Sequence, residues 1–96
     1  MLFMVISTPR PEPPSTMTGK RQDYWRWLAP LQENGLCKHV WARAGRGAVA
    51  LLDVPDNETL HRLLNEWAEI IPAHFKVLPL IDPEKAKAYL GRTDEP

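Results

Sequence analysis

"GLCKHVWARAGRGAVALLDVP", residues 35–55, reads as two short strands joined by a tight link. Gly45-Arg46-Gly47 is a hairpin signal, because two glycines supply the positive φ angles that short turns need. Residues 36–44 and 47–54 flank it as the second and third strands of the chain, and Pro55 ends the latter. Gly35 fits the position just after a helix C-terminus. Within the first of these strands, alternation puts His39 on one face with Cys37, Trp41 and Arg43, and puts Val40 and Ala42 on the other. A face that carries large polar and aromatic side chains lines an internal cavity or a subunit seam. The small-residue face packs against a second layer. Alternation alone does not say which face meets which layer.

Working outward, a helix precedes the hairpin. It starts near Thr16 or Thr18, either of which can cap it, and runs to about Asn34. Tyr24, Trp27, Leu28 and Leu31 form its inward stripe, with Lys20 and Asp23 at the edge. Trp25 and Trp27 cannot share a face, so one points inward and one outward. Before the helix, "TPRPEPPST" carries four prolines and reads as an extended connector, a candidate rim or lid. "LFMVIS", residues 2–7, is a strand apolar on both faces. After the hairpin, Asp56 or Asn57 caps a second helix with the stripe Leu60, Leu63, Leu64 and Trp67. "AHFKVLPLI", residues 73–81, is a fourth strand in which Pro79 signals an edge. "DPEKAKAYLG" is a short amphipathic tail, and "RTDEP" is expected to fray.

The order β-α-β-β-α-β predicts an α+β, ferredoxin-like domain over residues 1–96. It has a four-stranded antiparallel sheet with both helices on one face. The first and third strands are apolar on both faces, so something must also cover the second face. A second copy of the same sheet does so, which predicts a homodimer or a higher closed oligomer. A chain of 96 residues buries only a modest core by itself, which favours association. Twelve basic and twelve acidic residues give a formal net charge of +0, which gives no reason to expect nucleic acid or a membrane surface as partner. Cys37 is the single cysteine, which fits a reducing, cytoplasmic setting. "MLFMVIS" lacks a basic flank and is too short to span a bilayer.

The chain resembles the muconolactone isomerase family of small dimeric α+β barrel proteins. The residues that carry the resemblance are "MLF" and "NGLCKHVWARAGRGAVALLDVPDNETLHRLL", with the pattern His39-x-Trp41, Gly45, Asp53-Val54-Pro55 and Leu60-His61. The resemblance implies assembly through sheets, with the tail over 82–96 crossing to a neighbouring subunit. It also implies a pocket between helices and sheet that moves a proton and a double bond in a small unsaturated lactone or acid, without metal or organic cofactor. Three positions depart from the family. Its inward glutamate on the first helix corresponds here to Tyr24, beside Asp23. Its aromatic hydroxyl after the hairpin corresponds to Gly47. The sequence after Ile81 diverges.

Moving a proton next to a carbonyl needs a group with a pKa near the working pH, within hydrogen-bond reach of the substrate. His39 meets the first condition, and its alternative is a histidine that fixes packing at a seam. Asp23 is a second candidate base if an apolar pocket raises its pKa, and otherwise a surface partner of Lys20 or Arg26. Tyr24 can donate to a developing oxyanion. Arg43, with Arg46 nearby, can anchor a carboxylate, while Trp27, Leu28 and Trp41 form the walls. Cys37 and the histidines lack the spacing of a metal site. Two further functions fit the same outline: a cofactor-free oxygenase or cyclase acting on an aromatic compound, and a non-catalytic oligomeric ligand-binding or accessory protein.

Overall fold

A computed structural model describes residues 1–94, with side chains through residue 89. The elements are β1 (Leu2–Pro9), α1 (Thr18–Glu33), β2 (Cys37–Ala42), β3 (Ala48–Asp53), α2 (Asn57–Ile70), β4 (Ala73–Leu80) and α3 (Pro83–Asp94). The strands form one sheet in the order β2-β3-β1-β4, with every neighbouring pair antiparallel. This is the ferredoxin-like α+β arrangement. β4 lies at an edge, where the missing N–H of Pro79 is tolerated.

Strand alternation divides the sheet cleanly. Phe3, Val5, Ala50 and Leu52 face α1 and α2 and build the core with Tyr24, Leu28, Leu31, Leu60, Leu63 and Trp67. The opposite face carries Leu2, Met4 and Ile6 of β1, which pair with Asp53, Leu51 and Val49 of β3 and with Leu80, Leu78 and Lys76 of β4. This face is mostly apolar and none of α1 or α2 covers it.

β2 departs from simple alternation. Cys37 pairs with Leu52, yet His39 pairs with Leu51, so two residues of β2 stand opposite one of β3. This bulge shifts the phase of the strand. Cys37 is left buried on the helix side, while His39 and Trp41 turn to the open face beside Leu51 and Val49. The expected grouping of Cys37, His39, Trp41 and Arg43 is therefore split.

Local chemistry explains the remaining boundaries. The connector ends in a short 3-10 turn, Pro14–Met17, with Pro14 at its first position, where the absent N–H costs nothing. α1 then starts without a side-chain cap, because the N-cap position is Met17, which has no side-chain oxygen to accept from the first turn, while the Thr16 hydroxyl donates to the Pro13 carbonyl. The expected threonine cap is thus not formed. α2 is capped as expected: the Asp56 carboxylate accepts from Thr59 N at 2.7 Å and from Thr59 Oγ1 at 2.6 Å. Those bonds hold its pKa below the ordinary value. β2 stops at Ala42, where Arg43 N bonds to Gly47 O and closes the hairpin. α3 continues to Asp94, and the last residues of the segment expected to fray lie outside the described ones.

Candidate active site

A cavity of about 280 Å³ opens between the first half of α1, the β2–β3 hairpin and the end of α2. Its back wall is set by the way the β1–β3 ladder ends. Regular pairing stops at Ile6 and Val49. Beyond it, the Ser7 hydroxyl donates to Ala48 O and accepts from Ala48 N, at 3.2 and 2.9 Å. One side chain thus continues the ladder and keeps the hairpin against β1. The approach is close. A Cβ on Gly47 would lie 2.5 Å from Ser7 O, and its φ is +106°, so both space and backbone require glycine here. The small side chains of Ala42 and Ala48 leave the volume open.

α1 contributes Arg21, Tyr24 and Trp25 to the cavity, at spacings of three and four that share one helix face. Trp67 of α2 supports them from behind. Its ring centroid is 5.1 Å from that of Tyr24, and Trp25 meets Tyr24 edge-on at 5.4 Å.

The cavity is electropositive. Arg21, Arg43 and Arg46 line it, and no Asp, Glu, His or Lys does among the described residues. Two of these cations are tied to backbone. Arg43 Nη1 donates to Ser7 O and Thr8 Oγ1 at 2.9 and 3.0 Å. Arg46 Nη1 donates to Arg10 O and Glu12 O at 2.7 and 3.0 Å, which fastens the proline-rich connector to the hairpin as a rim.

Tyr24 is 4 % exposed. Its hydroxyl is the one buried side-chain polar atom without a partner among the described residues. Burial, with a smaller contribution from Cys37, pushes its phenol far above the ordinary tyrosine range. The group is a neutral hydrogen-bond donor at any physiological pH, and Tyr24 is among the residues that line the cavity.

The structure brings together three of the residues read from the sequence, Tyr24, Arg43 and Arg46. Leu28 is fully buried in the core. Trp27 lies outside the cavity, with Nε1 donating to Glu66 Oε1 at 2.8 Å. Asp23 sits on the solvent side of α1, 3.4 Å from Arg26. His39 and Trp41 stack on each other across the open sheet face, with ring centroids 5.5 Å apart. They do not meet Tyr24 and Trp27 in one pocket, because the bulge at Cys37 turns them away. Burial pushes the Cys37 thiol up, which leaves it unreactive. Sequence reading missed Arg21, although its place three residues before Tyr24 was the available signal. Among the described residues, no group of three or more His, Cys, Asp or Glu could hold a metal ion. No described helix is long and apolar enough to cross a membrane.

The fold is similar to that in the crystal structure of muconolactone isomerase, with a TM-score of 0.67 and 28% identity, covering 86% of this chain and 92% of that one. It is also similar to 5-chloro-2-hydroxyhydroquinone dehydrochlorinase from Burkholderia phenoliruptrix AC1100, solved in complex with 2,5-dihydroxybenzoquinone. There the TM-score is 0.72 over 88% of this chain and 98% of that one, at 14% identity, a likeness of fold alone. No curated protein matches the chain. A family model described as a domain of unknown function, DUF3303, matches residues 1–94.

Proposed function

The chain belongs to the DUF3303 family, and from that premise we propose that its arginine-lined cavity is the active site of a small-molecule enzyme of the muconolactone isomerase type. The substrate is a compact unsaturated lactone, acid or phenolic compound, bound as an anion. One observation carries this reading: Tyr24, whose buried hydroxyl lacks a partner among the described residues, lines the same cavity as three arginines. Moving a double bond next to a carbonyl takes a proton from carbon, places negative charge on the carbonyl oxygen, and returns the proton at another carbon. Tyr24 donates to that oxygen while the arginines supply a positive field, and both effects grow as charge develops. Asp23 and His39 lie outside the cavity, so the proton is carried by water or by a group of the substrate itself. No metal or organic cofactor enters this reading. The enzyme works as a homodimer or higher closed oligomer built through the open sheet face, in the cytoplasm.

The lack of a basic side chain among the cavity residues also favours a second reading, an oxygenase or cyclase whose acidic aromatic substrate ionises itself. The protein then supplies enclosure and orientation.

Two ligands named for the structural neighbours test the proposal. Muconolactone turnover is followed by loss of its double-bond arrangement, and binding of muconolactone and 2,5-dihydroxybenzoquinone by quenching of tryptophan fluorescence. Turnover lost in Tyr24→Phe supports the isomerase. Tyr24-dependent binding of the quinone without lactone turnover supports the second reading. Tyr24-dependent binding of the lactone alone, without turnover, makes the protein a non-catalytic binder. The active-site reading is rejected if neither compound binds.

A further inference from the structure

We propose that Arg21 selects the anionic ligand, gripping a carboxylate one helical turn away from the Tyr24 hydroxyl. This inference rests on the reading of the cavity as a ligand site and names what that site prefers. The three arginines are not equivalent. Both Nη1 hydrogens of Arg43 are spent on Ser7 O and Thr8 Oγ1, and both of Arg46 on Arg10 O and Glu12 O. Detaching either guanidinium would loosen the hairpin or the connector, so these two supply a fixed field. Arg21 makes no hydrogen bond or ion pair among the described residues, and the residues one turn away are Met17, at the end of the 3-10 turn, and Thr18, Tyr24 and Trp25 of α1. None is acidic. The nearby Asp23 is engaged by Arg26. All five donors of Arg21 are therefore available for a two-pronged contact with a carboxylate.

Positions three apart on a helix stand about 5–6 Å apart at Cβ, and both residues line the same cavity. The matching ligand carries a carboxylate and a carbonyl-type oxygen at separate points of one small ring. The volume agrees, because about 280 Å³ lies at the small end of ligand pockets, roughly 300–1,000 Å³. An uncharged analogue keeps the Tyr24 bond and the tryptophan contacts but leaves Arg21 in water.

The test compares muconolactone with its methyl ester, titrated into the full-length protein and followed by tryptophan fluorescence. Wild type is expected to prefer the acid by on the order of tenfold, a modest factor because the guanidinium is exposed. That preference should shrink as salt is raised. Arg21→Gln should lose most of that preference, keeping only what the fixed field of Arg43 and Arg46 supplies, and Arg21→Lys should recover part of it. Because Arg21 is exposed, circular dichroism of both variants should match wild type. An acid preference undiminished in Arg21→Gln, or a wild type that does not distinguish acid from ester, overturns the role of Arg21 and leaves the cavity as a ligand site. Failure of wild type to bind acid or ester while it binds 2,5-dihydroxybenzoquinone overturns this inference and leaves the site; failure to bind any of the three removes the site, and this inference with it.

Discussion

Burying the Tyr24 phenol without a hydrogen-bond partner costs about 1–3 kcal/mol. A packing position alone would be served better by phenylalanine. Tyr24→Phe is therefore expected to be at least as stable as wild type, by up to about 2 kcal/mol, in urea denaturation read by fluorescence, while losing ligand affinity. A clear destabilisation would mean that the hydroxyl has a structural bond after all. The same group makes a prediction in pH. Its phenol titrates higher in the fold than in the unfolded chain, so above about pH 10 the native state holds a proton that the unfolded state has released. Stability then falls as pH rises through that range. Denaturation midpoints between neutral pH and pH 11 should show this loss in wild type and much less of it in Tyr24→Phe.

Between the elements, one polar tie crosses the helix layer. Trp27 Nε1 of α1 donates to Glu66 of α2, which also accepts from Arg62 Nη1 at 3.0 Å. The Trp27 bond is the main cause that lowers the Glu66 pKa. The tie is therefore worth most when the carboxylate is charged. Its contribution is present above the unfolded carboxylate pKa, about 4.3, and is lost as pH falls through the lower folded value. Glu66→Gln is expected to cost a few tenths of a kcal/mol at pH 7, since the pair is partly solvated. The gap from wild type should close at pH 3, which thermal melts at the two pH values would check. Elements also decide which side chains meet. The bulge at Cys37 is a one-residue insertion whose effect is to reverse the facing of His39 and Trp41, and no residue type in "CKH" announces it.

At the scale of the whole molecule, the chain measures 60 × 26 × 19 Å with a radius of gyration of 16.2 Å. A compact domain of this length has a radius near 12–13 Å. Beyond β4, Ile81 and Tyr89 are 68 % and 67 % exposed, and Trp41 on the open face is 50 % exposed. An open apolar sheet face suits a second copy of the chain, which would cover it. Leu51 stands on that face between His39 and Met4. Leu51→Lys is expected to convert an oligomer into monomers in light scattering, with circular dichroism retained. A monomeric wild type would dismiss self-association.

The fold was legible in the sequence because its signals are local. The hairpin glycines, the carboxylate cap at Asp56, the apolar stripes of both helices and the two-faced apolarity of β1 and β3 each act over a few residues. Tyr24 was legible as a candidate through the resemblance, as the inward residue of the first helix that stands where the muconolactone isomerase family has a glutamate. What only the tertiary structure decided depends on contacts far apart in the chain. The Cys37 bulge sends His39 and Trp41 to the open face, Ser7 fixes the hairpin against β1, and backbone carbonyls of β1 and the connector occupy Arg43 and Arg46. Arg21 is thereby left as the cation with its donors unspent. Sequence spacing records which residues share a helix face or a strand face, but which partners saturate a hydrogen-bonding group depends on distances that exist only once the chain has folded.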